Sequence, residues 1–220
     1  MNNLTKDIAL VIFDYDGTIG DTRKTIVATM QQTLKDLGFP QFSEEACAST
    51  IGLPLKECFR KLLPYSGEEE LDGCAAMYRR LFDINKERIR TQAFPNVGST
   101  LEYLRQKGLR MSIATSRGVP SLKAFLEDMG FSGYFDLLLG ADEVRHHKPD
   151  PEPVLLTLET LGFKPSQALV VGDMPVDILM GRGAGCLSCG VTYGNSSRKE
   201  LEAAGADFII DDFGELTELL

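Results

Sequence analysis

The amino-acid sequence predicts an α/β protein of three layers, a parallel sheet between two layers of helices, with a small all-helical domain inserted near its start. Three observations support this prediction. Short apolar runs recur along the 220-residue chain, segments with helical periodicity separate them, and one long segment has no strand-like run at all. Short strands that alternate with helices are typical of a parallel sheet covered on both faces.

Continuous apolar runs predict the strands. A strand that is buried on both faces of a sheet gives an unbroken apolar run instead of an alternating pattern. Five such runs, and a weaker sixth, lie at residues 8–13, 109–114, 134–139, 168–171, 186–191 and 207–210. Between them, apolar residues recur at helical spacing before Gly108, Gly130 and Gly162, which act as stop signals. The pattern predicts a Rossmann-like core.

One segment breaks this alternation. Residues 22–93 contain helical stripes, including a charged one over residues 68–90, but no strand-like run. An all-helical block directly after the first strand indicates a second, smaller domain. We therefore predict a core formed by residues 1–21 and 94–220, and a helical cap domain formed by residues 22–93.

Charge and cysteine content exclude several classes of function. The chain has 23 Lys and Arg against 32 Asp and Glu, a formal charge of -9, and its basic residues do not cluster. It is therefore a poor partner for nucleic acids and for membrane surfaces. The first apolar run, residues 8–13, is too short for a membrane span or a signal peptide. Five scattered cysteines predict a reduced, cytoplasmic protein. The oligomeric state stays open.

Acidic side chains gather where the predicted strands end. Ligands of open parallel sheets bind at the carboxyl ends of the strands, and there Asp14 and Asp16 follow the first strand and Asp173 the fourth. Pro175 favours a helix start, which puts Asp177 in the first turn with its side chain toward the strand end. This concentration of carboxylates predicts Mg²⁺ as the cofactor. The alternative for Asp177 is a contact with the helix dipole alone.

Other polar residues at the same edge suit a phosphate group. Thr115 and Ser116 follow the second strand, and their hydroxyls, with the ammonium of Lys148, can bind and neutralise a phosphate. Asp14 and Asp16, two residues apart, provide one carboxylate to attack and a second to move a proton. These residues predict a small-molecule phosphate ester as the partner.

Four segments resemble, in order, the four motifs of the haloacid dehalogenase superfamily. They are DYDGT at 14–18, the Thr-Ser pair at 115–116, HKPDPEP at 147–153 and GDMPVD at 172–177. The helical insertion after the first of them resembles the small cap domain of that superfamily. The resemblance covers essentially the whole chain and is closest to the phosphoglycolate phosphatase and beta-phosphoglucomutase branch.

The resemblance implies a Mg²⁺-dependent phosphatase that hydrolyses a small phosphate monoester, phosphoglycolate-like or sugar-phosphate-like, through an aspartyl-phosphate. It implies that Asp14 is the nucleophile and Asp16 the general acid and base. The implied metal ligands are the Asp14 carboxylate, the Asp16 main-chain carbonyl, Asp173 and Asp177. The implied phosphoryl-binding residues are Thr115, Ser116 and Lys148.

Two other functions are compatible with these motifs. A phosphomutase of the beta-phosphoglucomutase type uses the same residues and returns the phosphoryl group to another hydroxyl of its substrate. A non-enzymatic phospho-acceptor module of the response-regulator kind also has Asp, Thr and Lys at strand ends, but such modules are shorter and have no helical insertion. Asp16 argues against the dehalogenases and the phosphonate-cleaving members, which lack an acid at that position. The physiological substrate stays open.

Overall fold

The computed structural model describes residues 5–220 of the chain. This part contains six strands and ten α-helices. The strands are β1 (Leu10–Phe13), β2 (Arg110–Ala114), β3 (Leu137–Leu139), β4 (Ala168–Gly172), β5 (Leu187–Val191) and β6 (Phe208–Ile210). The helices are α1 (Arg23–Asp36), α2 (Glu44–Ala48), α3 (Leu55–Leu62), α4 (Glu68–Arg88), α5 (Val97–Gln106), α6 (Val119–Asp128), α7 (Glu152–Leu161), α8 (Pro175–Gly183), α9 (Arg198–Ala204) and α10 (Leu216–Leu219). None of these helices is long and apolar enough to cross a membrane.

All strand pairs in the sheet are parallel. The strand order is β3-β2-β1-β4-β5-β6, so the direction of winding changes at β1, with β2 on one side and β4 on the other. In sheets of this kind the crevice at that change of direction binds the ligand. The carboxyl end of β1 is therefore the place to look for a site.

Alternate residues of β1 point to opposite faces of the sheet and contact the two helical layers. Val11 and Phe13 pack in one core cluster with α5, α6 and the helices of the insertion. Leu10 and Ile12 pack in a second cluster with α7 and α8. All four side chains are fully buried. This burial on both faces explains why the sequence shows a continuous apolar run.

Each predicted run contains a strand, and the run at 134–139 shows the largest difference. Only its last three residues form β3. Before them, the Asp136 N–H donates to the Met111 carbonyl, and the Asp136 carboxylate accepts from the Met111 N–H. The side chain of Asp136 thus accepts a hydrogen bond from β2 just before β3 begins. The apolar residues before it, Tyr134 and Phe135, follow a turn and pack against the core.

Four helices, α1 to α4, form the insertion between β1 and α5. The chain enters and leaves it through two neighbouring segments, residues 19–21 and 92–94, which we call the crossing ribbon. In this ribbon the Asp21 N–H donates to the Gln92 carbonyl at 2.9 Å, and the Phe94 N–H donates to the Ile19 carbonyl at 3.0 Å. The ribbon supports residues 22–93 as the cap domain, and we keep these boundaries as a proposal.

Candidate active site

Asp14 lies at the carboxyl end of β1, at the floor of a cavity of about 700 Å³ between the sheet and the cap helices. Its N–H donates to the Val171 carbonyl at 2.8 Å and so continues the pairing of β1 with β4. Because the backbone is fixed by the sheet, the carboxylate has a defined position. The side chain is 8% exposed, which leaves it open to the cavity and otherwise enclosed by protein.

Lys148 joins two of the predicted acidic residues. Its Nζ donates to Asp14 Oδ1 at 2.6 Å and to Asp177 Oδ1 at 2.7 Å. Burial alone would lower the pKa of Lys148, but the charges of Asp14 and Asp177 outweigh it and raise that pKa above its ordinary value. Lys148 is therefore a buried, charged ammonium group beside Asp14.

Asp173 is held by the loop that follows β5. Its Oδ2 accepts from the N–H of Asn195 at 2.7 Å and from Asn195 Nδ2 at 2.8 Å, and its Oδ1 accepts from Thr18 Oγ1 at 3.3 Å. Gly17 stands against it with a φ of 94°, and a Cβ at Gly17 would collide with the Asp173 carboxylate. The loop after β1 therefore approaches Asp173, at the end of β4, so closely that position 17 requires glycine.

The carboxylate of Asp177 makes two contacts. One belongs to the start of helix α8 and the other to the acidic group, and these are the two roles that the sequence leaves open for this residue. Its Oδ2 accepts from the Met174 N–H at 3.0 Å, which caps the start of α8. Its Oδ1 accepts from Lys148, which places the same carboxylate in the acidic group. The helix therefore begins at Pro175, as predicted, and Asp177 serves both the helix start and the site.

Asp14, Asp173 and Asp177 form a buried group of carboxylates. One oxygen of each lies within 4.8 Å of the others. Burial, the largest cause, and the neighbouring carboxylates raise the pKa of Asp14 well above its ordinary value, although Lys148 opposes the shift. Burial and the charge of Asp177 raise the pKa of Asp173 to about 7. Hard oxygen donors at this density, enclosed by protein, fit a divalent cation such as Mg²⁺.

The charge count points the same way. Asp16 pairs with Arg117, and Lys148 pairs with two of the three buried carboxylates. When all four carboxylates are ionised, they share two cations and carry two excess negative charges, which one divalent ion would balance. The geometry and the charge of these residues both fit the metal that the sequence predicts.

Thr115 and Ser116 follow β2 and line the cavity with Asp14. The Thr115 hydroxyl accepts from the Arg117 N–H at 3.2 Å, so its oxygen is oriented by the turn. The Ser116 hydroxyl donates instead to the carbonyl of Gly52, in the cap, at 2.6 Å. Both residues therefore lie where the sequence predicts, but Ser116 contacts the cap.

Two further residues of the site, Arg117 and Asn195, have no role that the sequence predicts. Arg117 donates from Nε and Nη2 to the two carboxylate oxygens of Asp16, at 3.0 and 2.6 Å. Asn195 holds Asp173, as described above. Both follow strand ends in the sequence, which is the available signal. Their partners could not be predicted, because each contact joins loops that are distant along the chain.

The cap side of the cavity carries three basic residues, Lys56, Arg79 and Lys86. Lys56 pairs with Glu68 and Asp72, and Lys86 lies 3.5 Å from a carboxylate oxygen of Asp83. Within residues 5–220, Arg79 has no ion-pair partner. It is the basic side chain on this wall that is most available to an anionic group in the cavity.

A second group of potential metal ligands lies outside the cavity, on the surface. His146, Asp150 and Glu152 have ligand atoms within 4.8 Å of one another. Glu152 already accepts from the N–H groups of Arg145 and His146 and from the ring of His146. These contacts explain the cluster as the local structure that precedes α7.

Comparison with known proteins agrees with this architecture. Residues 11–191 match the family described as haloacid dehalogenase-like hydrolase. A protein described as probable phosphatase IndB, from Dickeya dadantii, is 40% identical over 212 residues, which are 94% of this chain and 91% of that protein. A phosphoglycolate phosphatase from Aquifex aeolicus is 31% identical over 211 residues, 96% of each chain. Other relatives of similar identity are named phosphoglycolate phosphatase or pyrophosphatase PpaX.

A solved structure extends the comparison to the whole fold. The haloacid dehalogenase-like hydrolase from Bacteroides fragilis is 31% identical and superposes with a TM-score of 0.90 over 95% of this chain and 99% of its own. Fold and site together define a hydrolase with a carboxylate centre at the edge of a parallel sheet. The chain belongs to the haloacid dehalogenase-like hydrolases, and its relatives make it a phosphatase of that family. The family and the fold class predicted from the sequence are confirmed.

Proposed function

We propose that this phosphatase hydrolyses a small organic phosphate monoester through an aspartyl-phosphate on Asp14. The observation that carries the proposal is the contact of Asp14 with Lys148 at 2.6 Å on the floor of the cavity. A carboxylate attacks phosphorus only in its ionised form, and the ammonium group of Lys148 favours that form against burial. Thr115 lies on the same floor and supplies a hydroxyl for the phosphoryl oxygens.

Two steps complete the reaction. In the first, an oxygen of Asp14 forms a bond to phosphorus, the ester P–O bond breaks, and the leaving oxygen takes a proton from Asp16. In the second, a water oxygen bonds to phosphorus, the bond between phosphorus and Asp14 breaks, and Asp16 takes a proton from the water. Each step needs Asp16 in the opposite protonation state from the other, so one residue serves as acid and then as base.

The residues that would hold Mg²⁺ are Asp14, Asp173 and Asp177, together with the main-chain carbonyl of Asp16. Their fit rests on the buried carboxylate group and on the two negative charges that the ionised group carries in excess of Lys148. A bound divalent cation neutralises charge on the phosphoryl group and on the carboxylates that face it. Without a cation, the same carboxylates would repel a phosphate dianion.

For the substrate class we propose a small ester with a second anionic group, of which phosphoglycolate is the leading case. Arg79, without an ion-pair partner in the described part of the chain, supplies the positive charge for that group. Relatives named phosphoglycolate phosphatase support the choice. We also retain a cytoplasmic location as a proposal. It is supported by the five cysteines, which all lie in the described residues and carry free, buried thiols.

Isolation of the covalent intermediate tests the mechanism. Asp16→Ala keeps the main-chain carbonyl but removes the proton carrier. With 4-nitrophenyl phosphate, whose leaving group needs little protonation, the first step should continue and the second should become limiting. Protein quenched in acid during turnover should then carry one phosphoryl group on the peptide that contains Asp14. Asp14→Asn is the matched control and should carry none. Label on Ser116 or His147 would contradict the proposal.

A panel of esters tests the reaction type and the substrate. Release of inorganic phosphate should be measured for phosphoglycolate, inorganic pyrophosphate, several sugar phosphates and beta-glucose 1-phosphate. For the last of these, formation of the isomeric sugar phosphate is measured as well. We expect the highest kcat/KM for phosphoglycolate and a selective loss of it in Arg79→Met. Isomer formation that exceeds phosphate release would indicate the phosphomutase, and a complete lack of turnover would indicate the phospho-acceptor module.

A further inference from the structure

The carboxylate of Asp16 lines the cavity and forms a bidentate ion pair with Arg117. Nε of Arg117 donates to one carboxylate oxygen at 3.0 Å and Nη2 donates to the other at 2.6 Å. The side chains are 9% and 13% exposed, so the pair is largely shielded from water. A bidentate pair of this kind fixes the plane of the carboxylate as well as its position.

Arg117 is itself held in place from several directions. Its Nη1 donates to Ser121 Oγ at 2.8 Å, on the first turns of α6. Its guanidinium carbon lies 4.8 Å from the ring centre of Phe125 and 4.9 Å from that of Phe82, within the range of cation–π contacts. Burial acts to lower the pKa of Arg117, but the charge of Asp16 and the hydrogen bonds to it, with smaller contributions from Tyr78 and Tyr15, together raise that pKa above its ordinary value. Arg117 is therefore a fixed, permanently charged group.

Phe82 gives this arrangement a connection to the cap. It belongs to α4, whereas Phe125 and Arg117 belong to the core. Phe82 and Phe125 also contact each other, with ring centres 6.0 Å apart. The ring of a cap helix thus lies against the guanidinium of the ion pair, and the position of Arg117 depends in part on the cap.

We propose that Arg117 is a positioning residue that sets the place and orientation of Asp16 for proton transfer. The inference rests on the proposed function, in which Asp16 moves the proton in both steps. Arg117 donates one hydrogen bond to each oxygen of Asp16, and each oxygen keeps a further lone pair. A proton can therefore be exchanged with substrate or water while Arg117 keeps the carboxylate aligned. Arg117 acts through Asp16 and has no separate role in bond making at phosphorus.

Comparison of single and double variants tests this assignment. With 4-nitrophenyl phosphate, the first turnover needs no proton from Asp16, but steady-state turnover needs Asp16 as the base. Arg117→Met should therefore lower steady-state kcat by about 10-fold or more, within the range for a misplaced acid–base group. The first-turnover burst rate and kcat/KM should stay within about twofold, so that KM falls together with kcat because only the second step is slowed. Arg117→Lys keeps the charge but cannot donate two parallel hydrogen bonds, so its kcat should lie between those of the unaltered protein and Arg117→Met.

The double variant decides between action through Asp16 and independent action. In an Asp16→Ala background, Arg117→Met should change kcat by less than about twofold, since the group it positions is already gone. Losses that multiply would overturn the proposal, and so would a higher KM with unchanged kcat, which would make Arg117 a substrate-binding residue. Arg110→Met is the matched control. Arg110 pairs with Asp136 at the opposite end of β2, and its loss should leave activity unchanged.

A second readout does not depend on turnover. Arg117→Met leaves Asp16 buried without its partner, so the thermal unfolding midpoint should fall, and the further change Asp16→Ala should restore part of that fall. A double variant that is as destabilised as the sum of the two single variants would contradict the pairing even if no ester is hydrolysed. Absence of turnover in the unaltered protein, with coupling still seen in unfolding, would instead overturn only the proposed function.

Discussion

Lys148 shows how one residue can serve stability and chemistry at once. Its ammonium group lies between Asp14 and Asp177, and its side chain is only 3% exposed. Breaking a buried ion pair by removing one partner costs about 3–5 kcal/mol, because the other charge stays buried without compensation. A side chain buried this deeply contributes to the stability of the fold as well as to the charge of the site.

We expect Lys148→Met to lose most turnover and to lower the free energy of unfolding by about 3–5 kcal/mol in the absence of metal. Loss of the ammonium group removes a positive charge from both Asp14 and the incoming phosphoryl group. His147→Ala, on the neighbouring position, is the control and should be mild in both respects. Steady-state kinetics and chemical denaturation of the two variants check the prediction. Equal losses would show that the wrong residue of this motif has been assigned.

The sequence predicts which residues meet at the site, but only part of what they contact there. Asp14, Asp173 and Lys148 follow or precede predicted elements, and the topology of a parallel sheet brings such positions together. The partner of Asp16 could not be predicted, because it depends on how Arg117 turns between two aromatic rings. One of those rings, Phe82, comes from the cap, and no local pattern connects it with the core.

At the scale of elements, one cap loop contacts both halves of the site. The carbonyl of Gly52 accepts from Ser116 in the loop after β2. Met174 and Val176, at the start of α8, lie on its other side, where a Cβ on Gly52 would lie 3.5–3.6 Å from their side chains. Gly52 has a φ of 92°, a conformation that glycine adopts without strain. Through this one short loop, the cap therefore contacts two of the four motifs, the Thr-Ser pair at 115–116 and GDMPVD at 172–177.

The hydroxyl of Ser116 should hold this loop in the position that the structure shows, through its hydrogen bond to the Gly52 carbonyl. Loss of one hydrogen bond of this kind costs about 0.5–1.5 kcal/mol, so Ser116→Ala should raise KM by about 2- to 10-fold and leave kcat nearly unchanged. Exchange of the amide hydrogens of residues 50–53 should become faster as well. Ser99→Ala, which removes a surface hydroxyl bonded to the Asn96 carbonyl, is the matched control. A large fall in kcat without faster exchange would indicate direct phosphoryl binding by Ser116 instead.

The elements themselves were predicted more completely than these contacts. The run at residues 8–13 indicated a strand buried on both faces, and β1 has that environment because helices cover both sides of the sheet. The short strand β3 was predicted too long, because hydrophobicity does not distinguish a strand from an apolar turn packed on the core. Capping by Asp177 and the start of α8 at Pro175 follow from local chemistry, which a sequence displays directly.

At the scale of the whole molecule, the acidic group makes stability depend on pH and on metal. In the folded, metal-free protein the pKa of Asp173 is raised from 3.8 to about 7, chiefly by burial. Between these two values the folded state holds a proton that the unfolded state has released. The free energy of unfolding therefore falls as pH rises through this window, and the loss is complete above about pH 7.

Mg²⁺ should reverse this loss and should do so more at higher pH. A cation competes with the proton on Asp173, so we expect addition of Mg²⁺ to raise the unfolding midpoint by about 5 °C or more at pH 8, and by clearly less at pH 5.5. Differential scanning calorimetry at the two pH values checks this. Phosphatase activity should disappear with EDTA and return with Mg²⁺ but hardly with Ca²⁺, whose coordination shell is larger. Equal stabilisation at both pH values, or full activity after chelation, would contradict the assignment.

The crossing ribbon has a consequence for how such a protein can diversify. Its two segments run side by side, with Gly20 and Ala93 paired, so the inserted helices leave the core and return to it at neighbouring points. The distance between the end of β1 and the start of α5 therefore does not depend on the length or the internal arrangement of the inserted helices. A different insertion, longer, shorter or differently lined, could be exchanged at the same two points while Asp14, Lys148 and Asp173 keep their places. The selection of a substrate can therefore change, in evolution or by design, without moving these three residues, as long as the new insertion covers Arg117 as Phe82 does.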